Sequence, residues 1–330
     1  MTITTNNNLQ SKVQQGFTLV ELMIALALGL ILLGGVIGVF LANQETNRVN
    51  NVLSQMQSSG RLSFQLLARD LRSASFTGCG NNIEVVNVSS AFNVANAAWA
   101  NWVGGVIGFE GALPQVAGIT PLANTDVVRL MYGAGNGVTV SGHDVATSTF
   151  TVNANPLLNG LTPGTLALVC DGNARVAMFE VTAATAAAGV TPPLVQHQQG
   201  AGSNVSGFLG EPLNSPLTIA LGGMIMPLES VAWFVAPNNV GGNSLYRAFV
   251  INGAEVADEI TSGVTDLQFE YEVLVNTNPP GVWRTATNVA ADDWERVIGV
   301  RATLVMDNGN AMSANLNTFN YMAANRNRMQ

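Results

Sequence analysis

The feature that most constrains this chain is an uncharged apolar run close to its N-terminus. After Glu21, no charged residue occurs until Glu45. As a helix rising about 1.5 Å per residue, the run from Leu22 to Gln44 spans about 34 Å, which is enough to cross a hydrocarbon core of about 30 Å. A run of this length also exceeds the apolar region of an ordinary secretory signal. The sequence therefore predicts a helix that anchors the protein in a membrane.

The stretch before the apolar run also differs from a secretory signal. Residues 1–15 are polar, with Lys12 as their single basic residue and no acids. Ordinary signals are cleaved after the apolar region, whereas the distinctive junction here, Gly16–Phe17, precedes it. Cleavage at that junction would release a leader, residues 1–16, and leave the helix on the mature protein. Lys12 in a cytoplasmic leader agrees with the positive-inside tendency.

Glu21 is the unusual residue of the apolar segment. A carboxylate costs about 2.5–3.5 kcal/mol near the bilayer centre and less near its edge, so Glu21 needs a partner or a polar niche. Phe17 lies four residues earlier, and cleavage before it would create a free, positive amine. In a filament, we expect Glu21 of one subunit to pair with that amine of a neighbour, which would set the axial register.

The segment Gly16-Phe17-Thr18-Leu19-Val20-Glu21 resembles the type IV pilin signature. The resemblance implies that an aspartic prepilin peptidase cuts after Gly16 and methylates the amine of Phe17, and that Glu21 acts in filament assembly. The alternative is an ordinary signal-anchor helix with a glutamate at its edge. Four glycines in the segment either allow close helix packing or are merely tolerated there; they are Gly29, Gly34, Gly35 and Gly38.

The helical pattern continues where the chain turns polar at Asn43. Apolar residues recur every three or four positions, which is typical of an amphipathic helix. They are Val49, Val52, Leu53, Met56, Gly60, Phe64, Leu67 and Leu71. We expect the helix to end between Ser73 and Phe76. Residues 17–44 are thus predicted as a transmembrane half and residues 45–76 as an amphipathic half that packs on a globular head, with a two-chain coiled coil as the alternative.

Residues 77–330 are predicted to form that head, and it is β-rich. Apolar and polar residues alternate within Val264 to Val273 and Ile298 to Met306, as half-buried strands require. Asn136-Gly137 is predicted as a hairpin turn. The fold class is α+β. Further strands are predicted at Asp126–Tyr132, Arg175–Thr182 and Leu228–Val235, and long loops at Ala91–Gly105, Ala183–Gly210 and Asn276–Gly281.

Beyond the N-terminus, several segments resemble the PilW family of minor pilins, which is structurally similar to the large J-type pseudopilins of type II secretion. They are GRLSFQLLARDLRSASFTGC (Gly60–Cys79), TDVVRLMYG (Thr125–Gly133), the stretches Leu168–Thr182 and Ile260–Tyr271, LYRAFV (Leu245–Val250), VIGVRATLVM (Val297–Met306) and the terminal NRNR (Asn325–Arg328).

The resemblance implies a pilin-like subunit that takes part in type IV pilus assembly or initiation, at the tip. Its expected partners are the prepilin peptidase, other minor and major pilins, and the inner membrane before assembly. The head is expected in the periplasm and then on the pilus at the surface of a Gram-negative bacterium. Two alternatives remain: a J-type pseudopilin of a type II secretion system, and a pilus-borne adhesin.

Charge and reactive residues limit other functions. The net charge is -8, and without the leader 12 arginines would face 21 acidic residues, so strong non-specific nucleic-acid binding is not expected. The two histidines, His143 and His197, lie far apart in loop-like sequence and do not group with partners for a triad or a zinc site. We therefore predict no enzyme, no cofactor, no bound metal and no small-molecule substrate.

The two cysteines, Cys79 and Cys170, match no zinc motif. Outside the cytoplasm they are expected to form a disulfide, with two buried thiols as the alternative. Acidic residues near the C-terminal third, Asp292, Asp293 and Glu295, suit calcium but are better explained as a solvated turn. Three tryptophans near loops serve either packing or binding; they are Trp99, Trp102 and Trp283.

Overall fold

The structure is a computed structural model, and its residues divide into two compact units, Met1–Ser54 and Gln55–Gln330. The described residues are 16–80, 83–89, 98–111, 114–171, 175–188, 191–210, 215–251, 253–275, 280–307 and 317–328. The predicted leader, except Gly16, therefore lies outside them, as do residues 91–97 and 276–279 of two predicted loops.

One long helix, α1 (Leu19–Ser73), begins the described chain. Thr18 caps its start, because the Thr18 hydroxyl accepts a hydrogen bond from the Glu21 backbone N–H at 3.3 Å. The apolar run and the amphipathic run form one uninterrupted helix, since no proline occurs between them. The predicted end of the helix near Ser73 is confirmed.

Sixteen strands follow α1 in the described part of the chain. They are β1 (Val85–Asn87), β2 (Val106–Phe109), β3 (Val127–Gly133), β4 (Val138–Asp144), β5 (Thr149–Val152), β6 (Leu166–Cys170), β7 (Val176–Glu180), β8 (Ala183–Thr185), β9 (Leu194–Gln196), β10 (Met224–Pro237), β11 (Asn243–Ile251), β12 (Ala254–Ser262), β13 (Val264–Val273), β14 (Val282–Arg284), β15 (Val297–Met306) and β16 (Thr318–Ala324). All five predicted strands are confirmed. The predicted loop Ala183–Gly210 is wrong where β8 and β9 occur, because strands of three residues are too short to show alternation.

The longest strand, β10, organises a sheet of twelve strands. Its first residues, Met224–Pro227, pair with β6 and, at Met224 and Ile225, with β4. Its later residues pair with β3 from Leu228 and with β11 from Val231. The strand thus joins a middle region, residues 134–227, to a C-terminal region, residues 228–328.

The prediction of a hairpin at Asn136-Gly137 is wrong. A hairpin would pair β3 with β4, but both strands pair with β10 along the same line, with Gly133 opposite Leu228 and Val138 opposite Ile225. The Ala134 N–H donates to the Pro227 carbonyl at 2.8 Å between them. The chain therefore does not reverse at Asn136-Gly137. β3 and β4 run in the same direction along β10, and the residues between them form a short loop.

A second, antiparallel sheet of four strands has the order β14-β13-β15-β16. The predicted inward faces of β13 and β15 are buried, and the alternation of β13 is regular from Leu267 because a register shift lies just before it, between Val264 and Asp266. On the opposite face, Arg301 pairs with Glu270 at 2.8 Å and lies over the Trp283 ring at 4.3 Å. This face is the solvated one that the sequence predicted.

The second half of α1, from Gln55, lies on both sheets. Its buried residues include Met56, Gly60, Leu67 and Leu71. A small space between the helix and the sheets is lined by Ser63, Phe64 and Leu67 of α1 and by Trp233, Leu245, Leu267, Phe269 and Leu304. The Phe64 ring also stacks on that of Tyr321, with centroids 5.5 Å apart. From Met56 onward, the amphipathic stripe is therefore covered by the head.

Candidate functional site: the N-terminal segment and its anchor in the head

The predicted processing residues lie at the exposed start of α1. Phe17 is 84% exposed, and no described residue beyond the chain neighbours of Gly16 lies within 4 Å of where a Gly16 Cβ would stand. Glu21 is exposed in the first helical turn. An acid there is favoured by the partial positive charge of a helix N-terminus. Gly16, Phe17 and Glu21 are thus accessible together, as cleavage and pairing with another chain would require.

The apolar first half of α1 is bare. Its large side chains from Leu19 to Leu41 are more than half exposed, and Phe40, for example, is 59% exposed. Among the described helices, α1 is the one long and apolar enough to cross a membrane. The four glycines of this segment contact nothing within 4 Å of their Cβ positions. The first ion pair of the helix, Glu45 with Arg48 at 2.7 Å, follows the apolar run and is exposed.

The second half of α1 is fixed to the head by one buried carboxylate that the sequence analysis missed. Asp70 is fully buried, and its Oδ2 accepts hydrogen bonds from the Trp233 indole N–H at 3.0 Å and from Arg247 Nε at 2.7 Å. Arg247 Nη2 also donates to Oδ1 at 3.3 Å, as does the more exposed Arg69. Helical spacing could have revealed this, because Asp70 lies three residues after Leu67 on the apolar face.

Two further titratable groups lie beside this cluster. Burial raises the pKa of Tyr132 to about 12, and the negative charges of Asp70 and Glu229 act in the same direction. Burial likewise raises the pKa of Glu229, against the lowering effect of Arg247. The Asp70 carboxylate joins α1 to β10 by the hydrogen bond from Trp233 and to β11 by the ion pair with Arg247. These directional contacts favour one position of the helix along the sheet.

The terminus of α1 is held by the C-terminal segment of the chain. Ser75 has a left-handed backbone (φ 64°), and its N–H donates to the Met131 carbonyl at 2.8 Å. Its hydroxyl donates to the Gly104 carbonyl at 2.6 Å and accepts from the Asn325 amide at 3.0 Å. Gly105 has to be glycine here, since a Cβ would lie 2.6 Å from the Ser75 Cα.

Asn327 closes the helix end itself. Its side-chain amide donates to the Ala74 carbonyl at 2.8 Å, and the longer contacts to Arg72 and Ser73 carbonyls are 3.3 and 3.4 Å. The last carbonyls of a helix lack partners within the helix. The terminal motif Asn325–Arg328 therefore supplies hydrogen bonds that α1 cannot make for itself.

The predicted disulfide is present between Cys79 and Cys170, with Cα atoms 5.6 Å apart. Cys79 follows the end of α1, and Cys170 is the last residue of β6. The bond therefore ties the helix end to the middle region. The alternative of two separate buried thiols is wrong.

The two histidines, distant in sequence, are in contact in the fold. His143 and His197 place their Nε2 atoms 3.2 Å apart. His143 Nδ1 accepts a hydrogen bond from the Ile219 N–H at 3.1 Å, so its proton is on Nε2 and is donated to His197. Burial lowers the pKa of His143 to about 4 and that of His197 to about 3. The pair is neutral at pH 7 and packs on Phe150.

The other candidate groups lie in a 3₁₀ turn and in or beside apolar clusters. Asp293 pairs with Arg284 at 3.2 Å and with Arg296 at 3.4 Å in a 3₁₀ turn, Ala291–Arg296. Within the described residues, no three potential metal ligands cluster. Trp102 is buried in an apolar cluster with Met131 and Leu168. Trp99 is partly buried beside Leu166.

Two known families match this chain. Residues 11–37 match the prokaryotic N-terminal methylation motif, and residues 232–329 match type IV pilus-assembly protein W. No curated protein and no solved structure matches the chain. A bare apolar helix that carries this motif and packs its second half on a β-rich head defines the class of type IV pilins. Within that class, the C-terminal match makes the chain PilW-like.

The PilW match coincides with the structures that hold α1. It covers the later part of β10, including Trp233, then Arg247, the whole four-stranded sheet, and the terminal Asn325 and Asn327. Both matched families are structural subunits, and the chain is related to the type IV pilus through both.

Proposed function

We propose that the chain is a non-enzymatic minor pilin that is cut by a prepilin peptidase between Gly16 and Phe17 and methylated on the new amine. The observation that carries this proposal is the exposed junction at the capped start of a bare apolar helix, within the matched methylation motif. Before assembly, the helix holds the protein in the inner membrane as a single span, with the head in the periplasm.

Glu21 is the assembly group in this proposal. It lies in the first turn of an apolar helix and is exposed, so in lipid it needs an opposite charge. The methylated amine of Phe17 on a neighbouring pilin supplies that charge, and the two together fix how far one helix slides along the next. The partners are other minor pilins and the major pilin.

The proposed place of the subunit is at the start of assembly, at the pilus tip. The PilW match supports a pilus over a type II secretion system, and the Asp70 cluster joins the head to the second half of α1. Deletion of the gene is expected to abolish pili. Normal numbers of non-adherent pili would instead indicate a pilus-borne adhesin.

Intact-mass measurement of the membrane-extracted protein tests the processing. In cells with an active prepilin peptidase, the mature chain is expected to lack residues 1–16 and to carry one added methyl group. Cells without the peptidase should yield the uncut chain. A chain of full length in both strains would overturn the proposal.

Incorporation into filaments tests the role of Glu21. Glu21→Gln is expected to remain cleaved but to be lost from sheared pili, measured by quantitative immunoblotting. Glu45→Gln is the matched control, because Glu45 is an exposed glutamate on the same helix beyond the apolar run. Equal incorporation of both variants would remove Glu21 from the mechanism.

A further inference from the structure

One edge of β10 has a gap in its pairing. On this edge, β6 pairs as far as Pro227, and β11 pairs from Val231 onward. Between them, no described strand pairs with Leu228, Glu229 and Ser230 on that side, while their opposite side is paired with β3. Polar backbone groups at an unpaired strand edge are available to another molecule.

A cavity of about 330 Å³ lies at this gap. That volume falls within the range of about 300–1,000 Å³ typical of small-molecule sites. Its walls come from β10, from the start of β6 with the loop before it, and from the end of β11 with the turn after it. Trp99 borders it and, like Leu228, packs against the small apolar cluster of Ala100 and Leu166.

The far side of the gap is closed by two glycine turns. Gly164 and Gly253 line the cavity, and a Cβ on Gly253 would lie 3.7 Å from the Gly164 carbonyl oxygen. Both glycines have positive φ, 88° and 74°, a conformation that a bulkier residue would adopt only with strain. Because the two turns meet, an extended peptide could not run through the gap as an added strand. The shape favours a compact ligand.

The described lining of the cavity is rich in hydrogen-bond acceptors and contains no basic side chain. Among the described lining residues, Glu229 carries the only charge. Its carboxylate makes no hydrogen bond within the described part of the chain. The hydroxyls of Thr162 and Thr165 lie 3.0 Å apart and hydrogen-bond to each other. A carboxylate and backbone carbonyls accept hydrogen bonds from hydroxyl groups, and an indole ring packs on an apolar C–H face.

We propose that this cavity binds a neutral sugar, of one or two pyranose units, through Glu229, Trp99 and the unpaired edge at Leu228–Ser230. Sugars combine many hydroxyl donors with an apolar ring face in a compact shape, which is the combination that this lining and closed outline accept. An anionic sugar is disfavoured because Glu229 is the one charged group among the described lining residues, and two negative charges repel each other. The sugar is bound and not converted, so this proposal adds a recognition site to an assembly subunit.

The test uses the full chain in lipid nanodiscs, since many detergents carry sugar headgroups. The probes for saturation-transfer difference NMR are the methyl glycosides of glucose, galactose, mannose and N-acetylglucosamine, with N-acetylneuraminic acid and tri-alanine as contrasts. At least one neutral glycoside is expected to show transfer, with fluorescence quenching of tryptophan. Binding of tri-alanine alone, of the anionic sugar alone, or of no probe would overturn the proposal.

Isosteric variants locate the binding. Glu229→Gln is expected to weaken the bound glycoside about tenfold or more, the cost of losing a charged hydrogen bond, and Trp99→Ala to abolish its transfer signal. Asp258→Asn is the matched control, because Asp258 is an exposed carboxylate of β12 outside the cavity. If Glu229→Gln bound the glycoside with unchanged affinity, the glycoside would be bound at another place and the proposed site would be wrong. Sugar binding is measured on the isolated protein, without pili. A negative binding result would therefore overturn the sugar site and leave the proposed assembly function untouched, and a failure of pilus assembly tests would leave the sugar site untouched.

Discussion

The C-terminal region of the head supplies polar contacts to α1, whereas the middle region forms an apolar core of its own. The C-terminal region, residues 228–328, contacts α1 through polar groups with defined partners, such as Trp233 and Arg247 on Asp70. The middle region, residues 134–227, is built on an apolar core that includes Phe150, Phe179 and Val195. The PilW match covers nearly all of the first region and none of the second.

This difference separates two tasks. The contacts that orient a pilin helix are directional, so they need particular residues at particular positions, and a family pattern records them. An apolar core accepts many residue combinations of similar volume. The middle region, which is built on such a core, therefore tolerates volume-conserving substitutions more readily than the contacts to Asp70 do. The strand β10 and the disulfide Cys79–Cys170 connect the two regions.

Removal of the disulfide should have the largest effect on stability. Cys79→Ser with Cys170→Ser opens a ring of roughly 92 residues, which is worth about 4–5 kcal/mol in the chain-entropy model. Chemical denaturation of the full chain in nanodiscs measures the total loss. Hydrogen exchange locates it, and faster exchange is expected first in β6 and β7. Equal loosening of β13 and β15 would show that the two regions do not unfold separately.

Removal of the Asp70 carboxylate should cost somewhat less and act on the other region. In Asp70→Ala, Arg247 and the Trp233 indole lose their buried partner, and breaking a buried ion pair costs about 3–5 kcal/mol. The free energy of unfolding is expected to fall by this amount, with faster exchange in α1 after Gln55 and in β11. Glu45→Gln, which breaks an exposed pair on the same helix, is the control and should leave stability unchanged. Similar losses in both variants would contradict the anchoring role of Asp70.

Acid should destabilise the middle region and favour the contact that Asp126 makes with the C-terminal region. The depressed pKa values of His143 and His197, about 4 and 3, mean that below about pH 6.5 the unfolded chain binds protons that the folded middle region does not. Stability is therefore lost as the pH falls from about 6.5 to 4, by at most about 1.4 kcal/mol per pH unit for each histidine. Asp144, which raises the pKa of His143, opposes this shift weakly.

Asp126, which contacts the C-terminal region at Phe269, has a pKa shifted in the direction that favours the folded state in acid. Burial raises its pKa to about 6, with the charges of Glu110 and Asp266 adding to the rise, although its carboxylate accepts the Phe269 N–H at 2.7 Å. The folded state therefore binds a proton more readily, and this contribution increases stability as the pH falls from about 6 to 4. The denaturation midpoint is measured at several pH values. Its decrease with falling pH should be smaller in the double variant His143→Asn with His197→Phe than in the original protein, and larger in Asp126→Asn. Unchanged pH profiles would contradict both assignments.

The helix-end cap should give the smallest effect. Asn327→Ala removes the amide that donates to the Ala74 carbonyl, and the loss of one such hydrogen bond costs about 1 kcal/mol. A thermal melt should detect it as a small decrease in midpoint. Asn320→Ala on the solvated face of β16, whose amide oxygen accepts from the Thr303 hydroxyl at 2.8 Å, is a control that should change less. An equal decrease in the two variants would argue against a special role for the terminal motif.

Much of the fold could be predicted because its signals are local. The helix follows from an apolar run joined to a repeat of three or four residues, and the strands β13 and β15 follow from alternation that burial later matches. The signature Gly16 to Glu21 needs no partner within the chain to be recognised. With two cysteines present, the disulfide had one possible pairing inside the chain.

The sequence by itself thus determined the long apolar helix, the α+β class and the main strands, since each depends on residues close together in the chain. The tertiary structure decided which groups meet across long separations: Asp70 with Arg247, His143 with His197, and the joint line of β3 and β4 along β10. A carboxylate or an imidazole carries no local sign of its partner. Its partner, and with it its pKa and its role, is set by the chain folding that brings the two together.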